Sequence, residues 1–184
     1  MAHSNYVIIY PCKRLSGTLS VPGDKSISHR VAILSALASG TSKISGFLQS
    51  EDCINTVKAV TSLGAGIANS GDFLSITGTG GAFQRPQHTL DLGNSGTGMR
   101  LLAGILAAQP FTTELTGDAS LCSRPMKRIK EPLEKMGARV ELLGHGDCAP
   151  VRIRGNQLHG IDYTMPVASA QVKSCILLAA LFSE

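Results

Sequence analysis

The sequence predicts an α/β fold of repeated βαβαββ units, with the third unit incomplete. Three observations carry that reading. First, a hydroxyl followed by a cation and then an Ala- and Leu-rich run occurs three times: Ser26 to Arg30, Ser95 to Arg100 and Ser169 to Lys173. The serines lie 69 and then 74 residues apart. Second, Ser50-Glu51-Asp52 opens a segment closing on Leu63-Gly64, and Ser123-Arg124-Pro125 opens another closing on Met136-Gly137, the two offset by 73 residues. Third, Leu74-Ser75-Ile76 and Val151-Arg152-Ile153 alternate as half-buried strands do. A period of this length marks a repeated supersecondary unit.

Taken in order, residues Tyr6 to Tyr10 and Gly17 to Val21 read as strands, the second ended by Pro22-Gly23. A turn then feeds the first helix, with Lys25 and Ser26 at its mouth. Ser50 suits an N-cap and Gly64 the left-handed C′ position of the second helix. Gly78 to Gln87 is the loosest stretch and reads as a loop between units. In the second unit Ser123 is expected as N-cap, Pro125 in the first helical position and Gly137 at C′. The third unit reads as its first helix only, so the chain looks cut inside a repeat.

Composition narrows the function. At 184 residues with 43% hydrophobic content, a sizeable core is possible. Net charge is +4, mild and dispersed, which suits an anionic ligand and argues against nucleic acid. Aromatics make up 4% with no tryptophan, so no stacking platform for single strands is present. Five cysteines without a CxxC pair argue against a disulfide framework, and five histidines without ligand spacing against a metal site. No apolar run approaches the ~20 residues that span a bilayer. The first residues, MAHSNYVIIYPCKR, lack a signal-peptide pattern, so a cytoplasmic location is expected.

The motifs point to anions. Pro22-Gly-Asp-Lys-Ser-Ile-Ser-His-Arg30 sets an ammonium, a hydroxyl and a guanidinium on one side of a helix N-terminus. That set clamps phosphate or carboxylate, and equally describes an ordinary capped surface helix. It is not a Walker A loop. Leu92-Gly-Asn-Ser-Gly-Thr-Gly-Met-Arg100 is a glycine-rich helix opening in which Gly96 lets a ligand approach the backbone and Asn94, Ser95 and Thr97 offer hydrogen bonds. Arg124 falls at the expected start of a helix, where it serves either as an anion ligand or as a surface arginine. Met165-Pro-Val-Ala-Ser-Ala-Gln-Val-Lys173 adds Ser169 as donor and Gln171 as an amide able to bridge two ligands. Acidic residues near these motifs are few, with Asp24, Asp52 and Asp118 nearest, so a general base is expected from elsewhere.

Together PGDKSISHR at 22–30, LGNSGTGMR at 92–100, GDASLCSRPM at 117–126 and MPVASAQVKS at 165–174 resemble the 5-enolpyruvylshikimate-3-phosphate synthase (3-phosphoshikimate 1-carboxyvinyltransferase) family, in the order of its N-terminal half. The first and last of these are similar to the bacterial branch that includes glyphosate-tolerant members. The resemblance implies an enolpyruvyl transferase-like fold, its units arranged about a pseudo-threefold, in which residues 1–14 form an N-terminal strand and crossover segment. Residues 15–184 would then be a truncated N-terminal domain whose C-terminal partner domain is absent. It implies a transferase of the shikimate pathway, leading to chorismate and the aromatic amino acids. That enzyme moves the enolpyruvyl group of phosphoenolpyruvate to the 5-hydroxyl of shikimate 3-phosphate and releases phosphate, with no cofactor and no metal, as a monomer without nucleic-acid or membrane partners. By matching position, Lys25, Ser26, Arg30, Ser169, Ala170 and Gln171 would hold shikimate 3-phosphate. Lys25, Asn94, Gly96, Thr97, Arg124 and Gln171 would hold phosphoenolpyruvate, with Lys25 and Arg124 catalytic. The family's second domain supplies the catalytic aspartate, so the chain alone is expected to be inactive. Glyphosate sensitivity is expected from Gly96, where tolerant relatives carry alanine. Two alternatives remain. One is a noncatalytic phosphate-binding half that needs a complementary chain. The other is the UDP-N-acetylglucosamine enolpyruvyltransferase, whose loop cysteine would match Ala119 rather than Cys122.

Overall fold

The computed structural model describes residues 7–71 and 73–183. The first unit runs α1 (Lys25–Leu37), β1 (Thr41–Ser45), α2 (Glu51–Ser62), β2 (Gly66–Asn69) and β3 (Phe73–Thr77). The second runs β4 (Leu90–Asp91), α3 (Gly96–Leu106), β5 (Thr112–Thr116), a short α4 (Ala119–Cys122), α5 (Lys127–Lys135), β6 (Arg139–Leu142) and β7 (Val151–Arg154). A last helix, α6, spans Ala170–Ala180. Setting α4 aside, the second unit is a complete βαβαββ. Around α6 a parallel bridge joins Leu158 to Ser183, as the parallel β4–β5 pair joins Leu90 to Leu115 around α3. The third unit therefore begins as the second does.

Among the described residues two sheets result, ordered β1-β3-β2 and β4-β5-β7-β6. Their registers coincide. The row Thr41–Thr77–Gly66 in the first sheet has as its counterpart Thr112–Arg154–Arg139 in the second. The core lies between sheets and helices, and α3 runs through its centre. Beyond Arg100 every residue of that helix is buried, with Leu101, Leu102, Ala103 and Ile105 completely so, and its C-terminal half is enclosed on all sides. It packs most extensively on α6. At the crossing a side chain on Gly104 would collide with the Cys175 backbone.

Three sequence expectations are corrected. Gly17 to Val21 forms no strand and lies exposed, as does Val7 to Tyr10; Tyr6 falls outside the described residues. The place beside β1 that β4 takes beside β5 is thus unfilled among the described residues. A strand needs a partner for its backbone groups, and local apolar alternation cannot supply one. Ser123 does not cap α5. It closes α4, its hydroxyl donating to the Ser120 carbonyl at 2.8 Å, and α5 starts at Lys127 with Met126 in the N-cap position. Pro125 consequently lies outside α5, bridged to Cys148, while the Met126 N–H donates to the Asp147 carbonyl at 2.8 Å. At the far end the expectation holds, with Gly64 and Gly137 adopting φ of 104° and 114° just past their helices.

Candidate functional site

The N-termini of α1, α3 and α6 come together at one end of the molecule. Each is capped by an oxygen that accepts a backbone N–H: Asp24 from Ile27 at 2.7 Å, Ser95 from Gly98 at 3.0 Å, Ser169 from Val172 at 3.3 Å. In the first copy the cap is therefore Asp24, and Ser26 lies inside the helix. An aspartate followed by two polar residues hid that shift of register from the sequence.

Side chains cross-link the three helices. Arg30 donates to the Ser174 hydroxyl at 2.9 Å, joining α1 to α6, and to the Ser26 carbonyl at 3.0 Å. Arg100 donates to Gln171 Oε1 at 2.8 Å, and Gln171 Nε2 donates to Thr97 Oγ1 at 2.9 Å, joining α3 to α6. His29, fully buried, sits 2.8 Å from Thr56 Oγ1 and 3.4 Å from Ser95 Oγ, joining α1 to α2 and α3. Burial holds the His29 imidazole below its ordinary value; Asp52 opposes that shift, while Lys25 and Arg30 reinforce it. It is a neutral clasp behind the helix ends.

Arg124 is mounted on a separate platform. Asp118 caps α4, accepting from the Leu121 N–H at 2.7 Å, and receives both bonds from Asn94 Nδ2, at 2.8 and 3.1 Å. The Asn94 amide, followed by the Leu121 N–H, holds the Asp118 carboxyl below its usual range. Asn94 Oδ1 in turn accepts from Arg124 at 2.5 Å. Asn94 thus engages Arg124 directly, and the buried Ser95 hydroxyl is spent inside the protein. Gly96 lies against the guanidiniums: a β-carbon there would stand 2.8 Å from Arg100 Nη1 and 3.2 Å from Arg124 Nη1. Burial, then the nearby Arg124 and Arg128, lowers the Arg100 guanidinium's pKa. Cations crowded at positive helix ends favour a bound anion.

The sequence-selected residues are placed consistently with one another. Lys25, Ser26 and Arg30 lie on the first turns of α1, Gly96 and Thr97 open α3, Ala170 and Gln171 open α6 behind Ser169, and Asn94 and Arg124 flank α3. Lys25 is committed to Asp52, 3.0 Å away at the start of α2. Arg100, Asp52, Ser174 and Asp118 belong to the same network and were not selected. For Arg100 the signal was present, since it is the cation of the second repeat copy. For the others, contacts between distant segments leave no local pattern. Among the described residues no group of His, Cys, Asp and Glu forms a metal-binding cluster, and no helix is long and apolar enough to cross a membrane.

The family model for EPSP synthase (3-phosphoshikimate 1-carboxyvinyltransferase) matches residues 9–184. The chain belongs to the EPSP synthase family. It is 54% identical over 182 residues to the 3-phosphoshikimate 1-carboxyvinyltransferase of Akkermansia muciniphila, covering 92% of this chain and 41% of that one. Against the enzyme of that name from Methylococcus capsulatus the identity is 55% over 177 residues, covering 95% of this chain and 40% of the relative. A solved EPSP synthase from Acinetobacter baumannii superposes with a TM-score of 0.87 at 48% identity, over 91% of this chain and 38% of the other. The chain thus spans about two-fifths of the length of the EPSP synthases it matches, with the enolpyruvyl transferase fold in common.

Proposed function

We propose that this chain furnishes the anion-gripping half of an enolpyruvyl transfer from phosphoenolpyruvate to the 5-hydroxyl of shikimate 3-phosphate, with release of phosphate. The observation carrying this reading is the meeting of three capped helix N-termini with Lys25, Arg30, Arg100 and Arg124 in a member of this family. Shikimate 3-phosphate is assigned to Lys25, Ser26, Arg30, Ser169, Ala170 and Gln171. Phosphoenolpyruvate is assigned to Lys25, Asn94, Gly96, Thr97, Arg124 and Gln171, with Lys25 and Arg124 in contact with the reacting groups. Both substrates are polyanions, and fixed cations lower the cost of bringing them together and stabilise the tetrahedral intermediate. The nearest carboxylates, Asp24, Asp52 and Asp118, already serve the Ile27 N–H, Lys25 and Asn94. The general base and the rest of the cleft are assigned to a further domain, with which residues before about Leu15 would pair, and the chain alone binds without turning over.

Titration calorimetry with shikimate 3-phosphate tests this. One charge-assisted hydrogen bond contributes about 1.5–3 kcal/mol, so Arg30→Ala should weaken binding about tenfold or more. Equal affinity in wild type and variant removes Arg30 from the site and the proposal with it.

A further inference from the structure

At the opposite end of α3 lies a cavity of about 710 Å³ between the α3–β5 turn and the ends of β6 and β7. Arg85, Arg139 and Arg154 line it together with Thr112 and Asn156. Arg139 and Arg154 are direct cross-strand partners and so point to the same face of the sheet. Like charges in that relation destabilise a sheet unless something neutralises them. In the next row on the same face Arg152 pairs with Glu114 at 2.7 Å and with Glu141 at 3.1 Å. Arg139 shares Glu141 at 3.1 Å, and neither Arg154 nor Arg85 forms an ion pair among the described residues.

The repeat supplies an internal control. The first sheet builds the same row from Thr41, Thr77 and Gly66, so the fold does not require arginines there. Nor are they needed to close α3. Its last carbonyls have backbone partners, with Ile105 accepting from Ala108, Leu106 from Gln109 and Ala107 from Asn156. Loop, strand end and strand start thus deliver guanidiniums to one concavity of a size suited to small molecules.

We propose that this cavity is a second anion site, distinct from the helix-end cluster, that takes a compact polyanion of the phosphate class. Guanidinium forks match phosphate oxygens, and Thr112 and Asn156 add hydrogen bonds. Nothing in this assignment depends on the enolpyruvyl reading.

The probe is inorganic pyrophosphate, titrated into the 184-residue chain at low ionic strength and followed through backbone amide resonances. Expected are saturable shifts at Gly155, Asn156 and Thr112 with a dissociation constant below about 1 mM, separate from any at Gly96 and Gln171. Arg154→Thr installs the residue its counterpart carries and should weaken the Gly155–Asn156 response about fivefold or more, leaving Gly96 and Gln171 unaffected. Arg85→Gln, on an exposed loop, serves equally should Arg154→Thr alter the folded spectrum. Linear, unsaturated shifts, or affinity unchanged in the folded variant, would overturn the assignment.

Discussion

At the residue scale, two groups allow sharp tests. His29 is held neutral in the fold by burial, below its ordinary value of 6.5. The unfolded chain therefore binds more protons below about pH 6.5. Stability attributable to His29 is present above that pH and falls as the solution is acidified toward the folded value. Asp52, Lys25 and Arg30 are the charged groups facing it, and only Asp52 resists the shift. In urea unfolding, wild type should lose stability between pH 7 and 5.5 more steeply than His29→Gln; parallel losses would mean that His29 does not titrate with folding. Gly96 is the second group. Its missing side chain leaves room between the Arg100 and Arg124 guanidiniums, and a methyl would press on both at 2.8 and 3.2 Å. A methyl there penalises a longer ligand more than a shorter one. The completed enzyme should be glyphosate-sensitive, and Gly96→Ala should raise the inhibition constant about tenfold more than the KM for phosphoenolpyruvate. Steady-state inhibition with equal changes in the two constants would exclude Gly96 as the determinant of pocket size.

At the element scale, α3 and α6 carry the architecture. They approach closely enough that Gly104 has no space for a β-carbon against the Cys175 backbone. The Cys175 thiol is fully enclosed there, its pKa pushed up to about 12 by burial. Separating the helices would also break the Arg100–Gln171–Thr97 chain at their N-termini. Gly104→Ala should therefore destabilise by about 1–3 kcal/mol, read as a lower urea midpoint. A midpoint unchanged from wild type would show that the helices part without cost. The repeat made both helices legible, because the Ala- and Leu-rich runs recur behind a hydroxyl and a cation. It mislaid the start of α5, since Ser123 and Pro125 match the N-terminal preferences of a helix yet serve the α4–α5 link.

At the scale of the whole molecule, among the described residues the first sheet has three strands where the second has four. Leu19 and Val21 precede α1 as β4 precedes α3, and they are largely exposed. An open sheet edge and exposed apolar residues are each suited to a partner. Mixing the chain with a separately produced C-terminal portion of a relative should generate enolpyruvyl transfer that neither piece has alone, measured as phosphate release. Turnover by the chain alone would overturn the division of labour proposed above.

The sequence by itself determined the repeat, the α/β class, the helix openings and the residues that crowd them, because capping, glycine placement and apolar periodicity are local properties of the chain. Lys25, Arg30, Arg124 and Gln171 were legible for that reason. Only the tertiary structure decided which distant atoms meet: that Arg100 bridges α3 to α6, that Asn94 and Asp118 brace Arg124, that Arg139 and Arg154 stand side by side, and that Gly17 to Val21 finds no partner strand among the described residues. These are contacts between segments far apart in the chain. Local propensity carries no information about them, and the geometry of the packed helices and sheet registers selects them.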